Sequence, residues 1–179
     1  MNLKKLPMAM VALTLISCSF LTSCDEETTT ESANTNEAST TETKTEVSMS
    51  DDILNYSKKI VPLIEIETAA RKKYNDSLDA GDADKTLKVI DEHTLPEFQK
   101  FLDGLNTIKP ATPELKAILE KVVLSTEQRM IAFGDVASAL EKKDQKLVNA
   151  AFTKLKEAQK PLAEANATFA KLKEANGFK

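Results

Sequence analysis

Tryptophan is absent, histidine occurs once (His93), and cysteine occurs twice, at Cys18 and Cys24. Both cysteines fall in the first 24 residues. The rest of the chain therefore has none for disulfides, thiol catalysis, cysteine-ligated zinc or a c-type haem. One histidine cannot furnish the two Glu-x-x-His motifs of a di-iron bundle, and no nucleophile-elbow motif accompanies it for a Ser-His-Asp triad. Four glycines are too few for a phosphate-cradling loop. Asp79-Ala80-Gly81-Asp82-Ala83-Asp84 places its glycine wrongly for a calcium loop. From Asp51 onward there is no period-two alternation and no β-branched run, which argues against strands. The inventory leads to the expectation of no enzyme, no metal and no cofactor.

What is present begins at the amino terminus. Lys4 and Lys5 precede an apolar run from Leu6 to Leu21, followed by Thr22-Ser23-Cys24. A basic start, a short apolar core and small residues before a cleavage point describe a secretory signal peptide. The run is about 16 residues, short of the roughly 20 needed to span a bilayer. Leu21-Thr22-Ser23-Cys24 resembles the lipobox of bacterial lipoproteins. That resemblance implies cleavage after residue 23, diacylation of Cys24, and a membrane association made by lipid on the extracytoplasmic side of a bacterial envelope. Leu15-Ile16-Ser17-Cys18 also fits a lipobox. Cys24 is preferred because it leaves the longer apolar region and sets the acidic residues directly after the modified one. In enterobacterial lipoproteins an aspartate there, as Asp25 is here, implies retention in the inner membrane. In Bacteroidetes an acidic cluster such as Asp25-Glu26-Glu27 implies export to the surface. Both placements stay open.

Charge is unevenly distributed. Residues 25–50 are a low-complexity run of Thr, Ser, Glu and Asn with seven acids against Lys44 alone. Such a run buries too little apolar surface to offset its ordering entropy, so 24–50 is expected to be a disordered tether. A flexible chain of that length reaches roughly 28 Å. From Asp51 the chain carries 21 acidic and 21 basic residues. That balance gives no electrostatic footprint for nucleic acid. The expected partners are the membrane, through the lipid, and an envelope protein met through the exposed sides of the first and last helices.

Residues 51–179 take on a helical period. Asp79-Ala80-Gly81-Asp82 pairs a helix-ending glycine with an Asp N-cap. Thr112-Pro113 supplies a cap followed by a first-turn proline, and Lys142-Lys143-Asp144 joins a basic last turn to another Asp N-cap. The apolar stripes are Ile53, Tyr56, Ile60, Leu63, Ala70 and Tyr74; then Leu87, Ile90, Phe98, Phe101, Leu105 and Ile108; then Leu115, Leu119, Val122, Met130, Phe133, Ala137 and Leu140. In the last helix Val148, Leu155, Leu162 and Phe169 recur every seven residues, with Ala151, Ala158, Ala165 and Leu172 three positions after each. The expected fold is all-α. It is an elongated antiparallel up-down-up-down four-helix bundle with proline-kinked helices and a frayed carboxyl end, preceded by the signal peptide and tether. The competing arrangement is a three-helix bundle with the first helix detached.

Pro62, Pro96 and Pro161 all fall roughly 21–26 Å from the end of such a bundle that holds the 1–2 and 3–4 turns. Each removes a backbone hydrogen bond, freeing the carbonyls of Lys58, Glu92 and Glu157. At that waist the sequence sets His93, Thr94, Thr126 and Gln159, with Ser125 and Glu127 beside them. One reading is a polar cavity there that binds a small ligand. The other is simple curvature, with Thr94-Leu95-Pro96-Glu97 as a capping box that restarts a broken helix. Glu67 is expected to face solvent or to lie partly buried beside Arg71, four residues on.

Overall fold

The computed structural model describes residues 47–178. The expected signal peptide, the lipobox-like residues with Cys18 and Cys24, and the expected tether up to residue 46 lie outside the described residues. The described part is all-α, with four helical rods and no strand. The first rod is α1 (Met49–Asp79). The second is α2 (Ala83–Val89), a π-helical segment Ile90–Thr94, and α3 (Leu95–Thr107), running on without a loop. The third is α4 (Pro113–Glu141), and the fourth is α5 (Gln145–Ala158) followed by α6 (Lys160–Ala175). No described helix is long and apolar enough to cross a membrane.

The helices start and stop largely where their cap chemistry dictates. The Asp82 carboxylate accepts from Lys85 N, and that of Asp144 accepts from the N–H groups of Lys146 and Leu147. Gly81 adopts φ 67° just past α1, where a side chain would be strained. Four details depart from the sequence reading. Helix α1 begins at Met49, two residues inside the expected tether, because the Ser48 hydroxyl caps Asp51 N. Thr112 does not cap α4 with its side chain; its hydroxyl donates to Asp52 instead. Lys143 is not part of a last helical turn. It stands at φ 54°, where Asp144 N reaches back to Ala139 O in a Schellman closure. The carboxyl end is closed rather than frayed, with Gly177 at φ 80° and Phe178 N bonded to Lys173 O. Phe178 then packs on the core.

The prolines act unequally. Pro62 lies inside α1, which remains α-helical on both sides. Before Pro96 the chain widens into the π segment, where Leu95 N bonds to Ile90 O and the Thr94 hydroxyl donates to Val89 O at 3.2 Å. Thr94 thus makes no capping box. Before Pro161 the fourth rod breaks at Gln159, and the Ser125 hydroxyl of α4 donates to Ala158 O at 2.6 Å. The carbonyl satisfied from outside the helix is therefore that of Ala158.

The core divides into two clusters. One joins Ile53, Tyr56 and Ile60 of α1 with Phe101 and Leu105 of α3, Ile118 and Val122 of α4, and Ala165 and Phe169 of α6. The other joins Ala70 and Tyr74 with Ile90, Phe98, Phe133, Val136, Ala151 and Leu155. Gly104 lets α3 approach α1 closely, since a Cβ there would overlap the Leu63 side chain. All four apolar stripes face inward, except that Leu63, Leu87, Met130, Leu140, Leu162 and Leu172 are only partly buried.

Candidate functional site

Between the two clusters lies a pair of buried charges. Glu67 of α1 is 6% exposed and Arg129 of α4 is 4% exposed, and the Arg129 Nη2 donates to Glu67 Oε1. The Arg71 Nε stands 3.8 Å from the same oxygen. The expected i,i+4 contact therefore exists, but the principal partner of Glu67 comes from another helix. Arg129 also lies over the Phe98 ring, 4.5 Å from its centroid. Phe98, Phe133 and Tyr74 continue edge to face beneath it, at 5.1 and 4.9 Å. Cation–π contact and ion pairing together offset the desolvation of the guanidinium.

A cavity of about 30 Å³ opens beside this pair, walled by α1 and α6 and floored by α3 and α4. Tyr56, Ile60, Ile64 and Glu67 recur along one face of α1, and Leu162, Asn166 and Phe169 along one face of α6. Phe101, Ile118, Val122 and Arg129 complete it. Tyr56 and Phe169 meet edge to face at 5.3 Å. Burial pushes the phenols of Tyr56 and Tyr74 well above the usual tyrosine range, so both stay neutral. The space is apolar except where Glu67, Arg129 and Asn166 border it, an arrangement suited to holding a molecule rather than transforming one.

The waist residues read from the sequence do not line this cavity. Thr94 and Thr126 are fully buried, but each hydroxyl turns to a carbonyl of its own rod, Val89 O and Val122 O respectively. His93 is half-buried on the π segment, and Gln159 is half-buried at the α5–α6 joint. Three side chains near the prolines do line the cavity: Leu162, beside Pro161, and Ile60 and Ile64, two residues either side of Pro62. The ion pair had one signal in the sequence. Glu67 and Arg129 each occupy a core register on their helices, flanked by Ile60 and Ala70 and by Val122 and Phe133. Opposite charges within two facing stripes mark a buried pair.

A second polar anchor sits at one end of the structure. Asp52 is buried and accepts from Ala111 N at 2.8 Å, Thr112 N at 2.7 Å and the Thr112 hydroxyl at 2.7 Å. Burial raises its carboxyl pKa, but these bonds and the nearby Lys116 outweigh it and hold it below the usual value. Among the described residues, no three of His, Cys, Asp and Glu gather into a metal-binding group. No family model, curated protein or solved structure matches the chain.

Proposed function

We propose that the chain is a bacterial lipoprotein whose helical domain is held outside the cytoplasm by acylated Cys24 and acts by contact with another envelope protein rather than by catalysis. The observation that carries this reading is the succession Lys4-Lys5, an apolar run of signal-peptide length, and Leu21-Thr22-Ser23-Cys24. The Thr/Ser/Glu segment serves as a spacer between lipid and domain. The domain is an up-down-up-down antiparallel bundle. In support, one core cluster joins the beginnings of α1 and α4 with the later parts of α3 and α6. The other joins the later parts of α1 and α4 with residues of the π segment and α5. Photo-crosslinkers at exposed Leu54 of α1 and Thr168 of α6 test the contact in living cells. One discrete adduct in the envelope fraction, lost with Cys24→Ala, is expected. No adduct from either position, or the same adduct without the anchor, contradicts it.

A second reading, binding of a small molecule, is favoured by one observation. The cavity between α1 and α6 ends at a buried, charged pair, whereas its other walls are apolar apart from Asn166 and the Tyr56 hydroxyl.

A further inference from the structure

Among the asparagines of the chain, Asn176 alone is followed by glycine. Glycine has no Cβ to crowd its own backbone nitrogen, so that nitrogen is the least hindered in attacking the side-chain amide before it. In that reaction Gly177 N bonds to Asn176 Cγ and the Cγ–Nδ2 bond breaks. Ammonia leaves, taking the proton of the attacking amide. Water then opens the five-membered imide at one of its two carbonyls. The product is aspartate, or isoaspartate with the chain running through the side chain. Water enters and ammonia departs, so no oxidant or cofactor is needed.

The folded chain holds both reacting groups away from each other. Asn176 follows α6 at φ −106° and ψ 17°. A ψ near zero eclipses the Gly177 nitrogen with the Asn176 nitrogen and turns it from the branch that carries Cγ. Gly177 N donates to Glu174 O at 3.1 Å, and Asn176 Nδ2 donates to Leu172 O at 2.8 Å. Gly177 stands at φ 80°, and Phe178 N closes back on Lys173 O at 3.0 Å. The Phe178 side chain packs on the core cluster that joins α1, α3, α4 and α6. Reaction requires Gly177 N to leave Glu174 O, the side chain to leave Leu172 O, and ψ to rotate. Together these changes undo the closure, a local opening that the Phe178 contact resists. The product cannot restore it. An aspartate has no N–H for Leu172 O, and its charge stands at the carboxyl end of α6, where the helix dipole disfavours an anion. Isoaspartate also adds a methylene to the backbone ahead of Phe178.

We infer that Asn176 is a site of spontaneous deamidation, gated by the Gly177–Phe178 closure and releasing Phe178 from the core once it has reacted. The full chain carrying Cys24→Ala is aged at neutral pH, folded and in urea, and the tryptic peptide 174–179 is followed by mass spectrometry. In urea Asn176 is expected to convert to aspartate and isoaspartate ahead of every other asparagine. In the folded chain it should convert at least about tenfold more slowly, because only the open fraction reacts. Phe178→Ala is expected to bring the folded rate close to the rate in urea while helicity is kept. Asn176→Asp, which stands in for one product, should speed removal of Phe178 by carboxypeptidase. Conversion in urea no faster than at other asparagines overturns the site. Equal rates folded and in urea, or a folded Phe178→Ala rate equal to the wild type's, overturn the gate. Unchanged carboxypeptidase trimming of Asn176→Asp overturns the release.

Discussion

At the residue scale, the buried pair of Glu67 and Arg129 is the feature with the largest energetic stake. Removing one member leaves the other charged and desolvated, which costs about 3–5 kcal/mol. Arg129→Met and Glu67→Leu should each destabilise by about that much in urea unfolding. The double variant should cost far less than the sum, because no orphan charge remains. Additive losses would mean that the two side chains are not coupled. Asp52 gives a prediction in pH. Its folded pKa lies below the unfolded one. As pH falls, the unfolded chain takes the proton first, so the stabilisation is complete above about pH 4 and is lost as pH drops through the folded value. Asp52→Asn should cost about 1.5–3 kcal/mol at pH 7 through the bonds to Ala111 and Thr112. The difference from the wild type should shrink below pH 4. A difference that stays constant down to pH 2 would exclude a charged Asp52 as its source.

At the element scale, the turns supply a reciprocal pair of tests. Gly81 and Lys143 both sit at positive φ just beyond a helix, but only the first is a glycine. Gly81→Ala should lower stability by about 1 kcal/mol, and Lys143→Gly should raise it by about 0.5–1 kcal/mol, measured by thermal unfolding. Opposite signs would contradict the left-handed backbone at those turns. The helix ends at Asp82 and Asp144, and the inward stripes, were legible because capping and the 3.6-residue period act locally. The fates of the three prolines were not. Whether a proline is absorbed within α1, met by a π segment before α3, or turned into a break before α6 depends on which groups lie nearby to satisfy the backbone. For Pro161 one such group is the Ser125 hydroxyl on another helix, 33 residues away in sequence. The cavity escaped for the same reason. Thr94 and Thr126 looked like polar groups available to a ligand, but each satisfies a carbonyl within its own rod. Glu67 looked like a surface acid until a facing helix brought Arg129 to it.

At the scale of the whole molecule, the proposed division of labour is simple. The helical domain has balanced charge, and its acidic excess lies in the segment ahead of it. A domain without cysteine is held by its core and by buried polar links, the Glu67–Arg129 pair and the Asp52 anchor among them. Its proposed placement outside the cytoplasm rests on the amino-terminal sequence alone. The most direct measurement is the intact mass of the protein extracted from the membranes of the cells that make it. The expected species begins at Cys24 and carries a diacylglyceryl group on its sulfur. A chain that retains Met1, or one that begins elsewhere and bears no lipid, would contradict the proposed anchor and the envelope role built on it.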